Sequence, residues 1–201
     1  MAIGAHPDDI EFGCGGTLLR HAAQGVDITM VVVSDGALGG DPKLRSAEQI
    51  RAARLIGAKV VMLGLSDGRL GSLADLVARL EQIADEVAPD LVYSHLPEDT
   101  HQDHVKTHRA TAVATRRQAN VLMFESPRSP IQSTGITVGI TEFIEAKTQL
   151  LAAHASQLAR LPELTDEGIR ARARLHGLRC GDTYAEMFTP LRFSLPIGGN
   201  A

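Results

Sequence analysis

Tryptophan is absent from this 201-residue chain, and aromatic residues make up only 3% of it. That scarcity argues against sugar recognition by stacked rings. Cysteine is almost as rare: Cys14 and Cys180 stand far apart with no CxxC spacing, which fits a reducing compartment better than a disulfide framework. No apolar run reaches the roughly 18 residues that a membrane span needs, and Met1-Ala2-Ile3-Gly4-Ala5 lacks the basic start and long apolar core of a signal peptide. The formal net charge of -4 is mild and spread along the chain, so neither nucleic acid nor a membrane is expected as a partner. A soluble, cytoplasmic protein follows. Hydrophobic residues make up 44% of the chain, enough for one domain over 1–201 with a well-buried core.

Short β-rich runs alternate with helical periodicity. Ile3 to Ala5 reads as the tail of a first strand, short enough that the natural start is expected a little upstream. Phe12 to Gly25 reads as a helix opening on Gly13, Gly15 and Gly16. Ile28 to Val33 is a continuous apolar run, the mark of a strand covered on both faces. A glycine-rich loop from Ser34 to Lys43 precedes a helix expected from Ser46, which stands in capping-box spacing to Gln49, to Gly57. Lys59 to Leu63 is a third strand. Ser72 and Asp75 open a helix carrying Leu76, Leu80 and Ala84 at helical spacing, and Pro89 ends it. Leu91 to Ser94 is a fourth strand and His104 to Gln118 a fourth helix. Beyond Asn120 come a strand to Glu125, a strand from Ile136, a helix from Thr141 to about His154, a basic helix from Ile169 to Leu178 and a final strand from Met187 to Leu195. Four strand-then-helix units in a row predict an α/β fold: a Rossmann-like, doubly wound, mainly parallel sheet in a single domain.

In such sheets ligands bind beyond the carboxyl ends of the strands. His6 follows the first strand, Asp35 the second, Asp67 the third, and His95 to His104 the fourth. Two clusters stand out on that edge, Ala5-His6-Pro7-Asp8-Asp9 and His101-Gln102-Asp103-His104. Alone, an HPD sequence is usually a turn and a single histidine usually a surface residue. Together they suit a zinc site, which takes three protein ligands and leaves one position for water. His6 and Asp9 lie three apart across a proline-stiffened turn, and His101 or His104 can supply the third ligand. Zinc brings the pKa of water down to about 7, a further carboxylate such as Asp8 can accept the water proton, and a spare histidine can stabilise an oxyanion or protonate a leaving amine. His101 and Asp103 fit the roles of that histidine and the acid that orients it. The competing reading, dinucleotide binding at Gly13-Cys14-Gly15-Gly16, fails in two ways: the third glycine of the motif falls on Leu18, and the histidine and aspartate clusters are left without a purpose.

His6-Pro7-Asp8-Asp9 with Glu11 and Gly13-Cys14-Gly15-Gly16-Thr17, followed by Pro97-Glu98-Asp99-Thr100-His101-Gln102-Asp103-His104, resembles the LmbE/PIG-L family of zinc-dependent N-acetylglucosaminyl deacetylases. The likeness extends through Arg45, Glu48, Gly57, Lys147, His154-Ala155-Ser156-Gln157 and Tyr184-Ala185-Glu186-Met187-Phe188. It implies one zinc ion per chain on His6, Asp9 and His104, with another divalent metal such as Fe2+ as the alternative occupant. It further implies Asp8 as general base, His101 as acid or oxyanion stabiliser, Asp103 as its orienting partner, and Arg45 and Asp67 on the sugar hydroxyls. The implied substrate is a small amino sugar or its glycoside, and a homo-oligomer fits the family. A zinc amidase for a larger acyl group or a thiol conjugate would share every ligand. The chain departs from the mycothiol-type pattern at Asp99, where those members carry a tyrosine.

Overall fold

Strand β2, Thr29–Ser34, is buried along its whole length because its side chains alternate between two covered faces. Met30 and Val32 join an apolar cluster with Ile10, Leu18 and Phe124, whereas Val31 and Val33 join another with Ile3, Leu76 and Ala110. The structure is a computed structural model and describes residues 1–127, 129–158, 160–161 and 164–194. Six further strands among these residues are β1 Ala2–Gly4, β3 Lys59–Leu65, β4 Val92–His95, β5 Val121–Phe124, β6 Ile136–Gly139 and β7 Ala185–Arg192. They form one seven-stranded sheet in the order β3-β2-β1-β4-β5-β7-β6. Neighbours from β3 to β5 pair parallel, and β7 runs antiparallel to both β5 and β6. The expected mainly parallel, doubly wound sheet is therefore present.

Helices α1 Asp9–Ala23, α2 Pro42–Ile56, α3 Leu73–Val87 and α4 Gln102–Ala114 follow β1 to β4 in turn. Three more, α5 Ile144–Ala152, α6 Ala155–Leu158 and α7 Asp166–Cys180, come after β6. α1, α2 and α5 pack together over one face of the sheet, and α3 packs on α4 over the other. No helix among the described residues is long and apolar enough to cross a membrane. The strand order reverses between β1 and β4, so a crevice opens beyond their carboxyl ends.

Several expected boundaries move. α2 starts at Pro42, with Asp41 accepting the N–H of Lys43 as its cap. An Asp-Pro start is a stronger signal than Ser46, which lies inside the helix and caps nothing. α1 begins at Asp9 and α4 at Gln102, three and two residues earlier than expected, so both polar clusters run into helix N-termini. The helix expected from Thr141 opens with a 3-10 turn, Thr141–Phe143, and breaks after Ala152. The expected end of the last strand, Leu195, lies outside the described residues.

The glycine cluster cradles no phosphate. Gly13 and Gly16 lie within α1, where a Cβ on Gly13 would stand 2.2 Å from the Phe124 ring and one on Gly16 2.7 Å from Ile140. They let the helix approach the sheet closely. Gly13→Ala is expected to lower stability by about 1–3 kcal/mol through overpacking. Urea unfolding measures it, and an unchanged midpoint would remove close packing as the reason for glycine there.

Candidate metal centre

The chain leaves β1 at Gly4 and enters α1 at Asp9, so four residues make the turn. Two anchors fix that turn. The Ala5 N–H donates to Nε2 of His95 at 2.9 Å, and the His6 N–H donates to Oδ2 of Asp9 at 2.7 Å. On the other side of the crevice the Asp103 N–H donates to Nδ1 of His101 at 3.2 Å, which makes His101 the N-cap of α4 and starts the helix that carries His104.

Carboxylates fix the imidazoles of both His6 and His104 from behind. Nε2 of His6 lies 3.0 Å from Oδ1 of Asp67, and Nδ1 of His104 lies 2.9 Å from Oδ2 of Asp99. With a ring proton held on each of those nitrogens, the lone pairs on His6 Nδ1 and His104 Nε2 face one point, 3.2 Å apart. Asp9 sets Oδ2 3.3 Å from His6 Nδ1 and Oδ1 3.3 Å from His104 Nε2. Ligands about 2.0–2.2 Å from a tetrahedral zinc ion lie roughly 3.3–3.6 Å from one another, so the spacing of the two nitrogens, and of each from one Asp9 oxygen, is compatible with that metal. Two imidazole lone pairs at such a separation repel unless a cation, metal ion or proton, sits between them.

The electrostatics agree. Burial disfavours charge on His6, yet hydrogen bonds to Asp103, Asp67 and Asp9 outweigh it and push the pKa up to about 12. For His104 burial is again opposed, by Asp9 and Asp99, and the pKa rises to about 9. Asp9, facing His104 and His95, is held well below the usual carboxylate range despite its burial. Asp8 goes the other way: burial and the neighbouring charge of Asp9, against the pull of Arg45, push it up to about 7.

A cavity of about 390 Å³ opens over these groups. Its lining includes His6, Asp8, Asp9, Arg45, Asp67, His101 and His104, so seven of the eight expected residues meet there, Asp103 being the exception. Three of the expected residues are held by hydrogen bonds within the protein. Asp103 meets His101 through its backbone; its carboxylate accepts the Gly68 N–H at 2.7 Å and lies 3.4 Å from His6 Nε2. Asp67, expected on the sugar hydroxyls, lines the cavity, where one oxygen is engaged by His6 and the other accepts the Leu38 N–H at 3.0 Å. Arg45, likewise expected on the sugar, is buried and donates to the carbonyls of Gly36 (2.9 Å) and Pro7 (2.6 Å) and to Asp8 Oδ2 (3.2 Å).

Two functional neighbours escape a reading of spacing alone. Asp99 accepts from the His101 N–H and from Ser126 Oγ besides backing His104; these bonds overcome its burial and bring its carboxyl down to about 2. His95 stacks on His104 with ring centroids 4.1 Å apart, and burial and the charge of His104 lower its pKa to about 4, so it stays neutral. A histidine closing the buried run Val92–His95 was the available signal for the second.

Residues 1–115 match the family described as PIG-L: GlcNAc-PI de-N-acetylase. The uncharacterized deacetylase YaiS of Escherichia coli (strain K12) is 38% identical over 135 residues, covering 63% of this chain and 73% of that protein. A diacetylchitobiose deacetylase of Thermococcus kodakarensis is 24% identical over 215 residues, covering 92% of this chain and 80% of that one. Among solved structures, the conserved protein TT1542 from Thermus thermophilus superposes with a TM-score of 0.88 at 27% identity, covering 98% of this chain and 97% of that one.

At pH 7.5 the metal-free pair of His6 and His104, both with raised pKa values, holds an extra proton between its rings, which a metal ligand must give up. Zinc binding is expected to release at least one proton per chain, read by titration calorimetry in buffers of different ionisation enthalpy; no release would contradict the ligand set. Asp99→Asn, which weakens the support behind His104, is expected to lower zinc affinity about 10- to 100-fold in a competition with a chromogenic chelator.

Proposed function

The chain belongs to the PIG-L family, and from that membership we propose that it is a metal-dependent amide hydrolase whose ion, zinc, is held by His6, Asp9 and His104. It removes an N-acetyl group from an N-acetylglucosamine-type amino sugar or glycoside. The observation that carries the reading is the convergence of His6 Nδ1, His104 Nε2 and the two carboxylate oxygens of Asp9 at separations of 3.2–3.3 Å, beside the raised carboxyl of Asp8, in one cavity. When bound, the ion supplies Lewis acidity, making water acidic enough to ionise near neutral pH and polarising the amide carbonyl.

The protein's own groups move the protons. Asp8, with a pKa near the working pH, takes the proton lost by the attacking water as its oxygen bonds to the acetyl carbon. The same carboxyl returns that proton to the nitrogen as the carbon–nitrogen bond breaks, and acetate and the free amine leave. His101 accepts the Asp103 N–H at Nδ1, so its ring proton is on Nε2. Burial and the neighbouring His104 and His6 lower its pKa, which keeps the ring neutral. Of the two roles open to it, His101 is therefore the hydrogen-bond donor to the oxygen that becomes negative. Two free cysteines, Cys180 exposed, are in keeping with a reducing, cytoplasmic setting.

Asp8→Asn is expected to keep about one metal per chain while acetate release falls about 10²- to 10⁴-fold. The assay follows acetate from N-acetylglucosamine and diacetylchitobiose with and without chelator. Loss of metal together with turnover would move Asp8 into the ligand set, and chelator-resistant turnover would overturn the metal reading.

A further inference from the structure

Asp8 stands in the left-handed region, with φ 103° and ψ -25°, a backbone conformation that side chains with a Cβ avoid. The nearest relaxed alternative is right-handed and would extend α1 by one residue, turning the Asp8 carboxylate away from its present place in the cavity. The surroundings must over-determine the strained form. Two side chains from α2 do so. Arg45 Nη2 donates to the Pro7 carbonyl and to Asp8 Oδ2. One helical turn later, on the same face of α2, Gln49 accepts the Asp8 N–H at Oε1, 3.3 Å away.

Gln49 is fully buried, and its other end is fixed as well: Nε2 donates to Glu11 Oε1 at 2.6 Å. A flipped amide would set a donor against the Asp8 N–H and an acceptor against a carboxylate, so one orientation is imposed. Gln49 thus bridges the residue before α1 and the residue three later, fixing the first turn of that helix. We propose that Gln49 is a positioning residue of the reaction: it holds Asp8 in its left-handed conformation and thereby aims the proton-accepting carboxylate. The proposal rests on the reading of Asp8 as proton acceptor.

Gln49→Met removes acceptor and donor at similar length, and Gln49→Glu keeps an acceptor oxygen and can share a proton with Glu11. In Gln49→Met, kcat is expected to fall roughly 30-fold with KM within about twofold of wild type and metal content unchanged, and Gln49→Glu recovers kcat to within about fivefold at pH 6. An unchanged kcat in Gln49→Met, metal lost in step with kcat, or a Gln49→Glu no better than Gln49→Met overturns the proposal. A second measurement needs neither activity nor those variants. With Gln49 in place, Asp8→Gly is expected to melt about 2–4 °C above Asp8→Ala, because glycine alone tolerates the enforced φ; equal midpoints overturn the proposal. Wild-type protein that holds metal and releases no acetate would instead overturn the functional reading and leave the Asp8→Gly comparison intact.

Discussion

Everything at the crevice follows from holding two imidazole lone pairs 3.2 Å apart inside a protein. That arrangement requires a positive charge at its centre and carboxylates behind each ring to fix which nitrogen keeps its proton. Buried carboxylates require partners of their own. Asp67 receives the Leu38 N–H, and its own N–H donates to Asp35 at 3.2 Å. Asp99 receives the His101 N–H and the Ser126 hydroxyl. The loops after β1, β2, β3, β4 and β5 are thus tied by one chain of hydrogen bonds. The site is rigid because removing any partner would leave a charge buried without compensation.

The chain beyond β5 carries none of the residues assigned to the chemistry and much of their frame. Lys147 on α5 donates to the Phe12 carbonyl at 2.6 Å and pairs with Glu186 on β7. Glu186 in turn accepts the N–H groups of Gly16 at 2.9 Å and Thr17 at 2.7 Å. This buried ion pair grips α1 in its middle, while Asp8 and Asp9 stand at its head. Glycine at 13 and 16 serves the same end by letting the helix seat against Phe124 and Ile140.

The sheet and the two polar clusters were legible because both rest on local pattern. Strands buried on both faces read as unbroken apolar runs, and His6, Asp8, Asp9, His101, Asp103 and His104 lie in two short segments at strand ends. The supporting contacts were not legible. Arg45 was expected on the sugar hydroxyls, and only the tertiary fold brings Pro7 and Asp8 against it. Gln49 reads as half of a capping box at Ser46 because spacing cannot tell a side chain turned to its own helix from one turned to another. Asp67 was found by its place after a strand, yet its partner, the ring of His6 61 residues away, is set by the sheet order. Asp103 was assigned through its carboxylate, whereas the backbone N–H at a helix start does the orienting. Sequence pattern found the groups that the fold brings together and missed the direction in which several of them point.

The placement of β7 has a consequence for how the protein is made. This strand, the last in the sheet, is inserted between β5 and β6, and β6 has no other partner in the sheet. During synthesis the first five strands can assemble as they emerge, but β6 must wait with its backbone groups unpaired until Ala185–Arg192 leaves the ribosome. Glu186 arrives on that same strand, so α1 gains its central anchor in the step that closes the sheet. Completion of the fold and locking of the helix behind the reaction centre are one late, non-local event, which leaves the nascent chain with an open strand edge until β7 arrives.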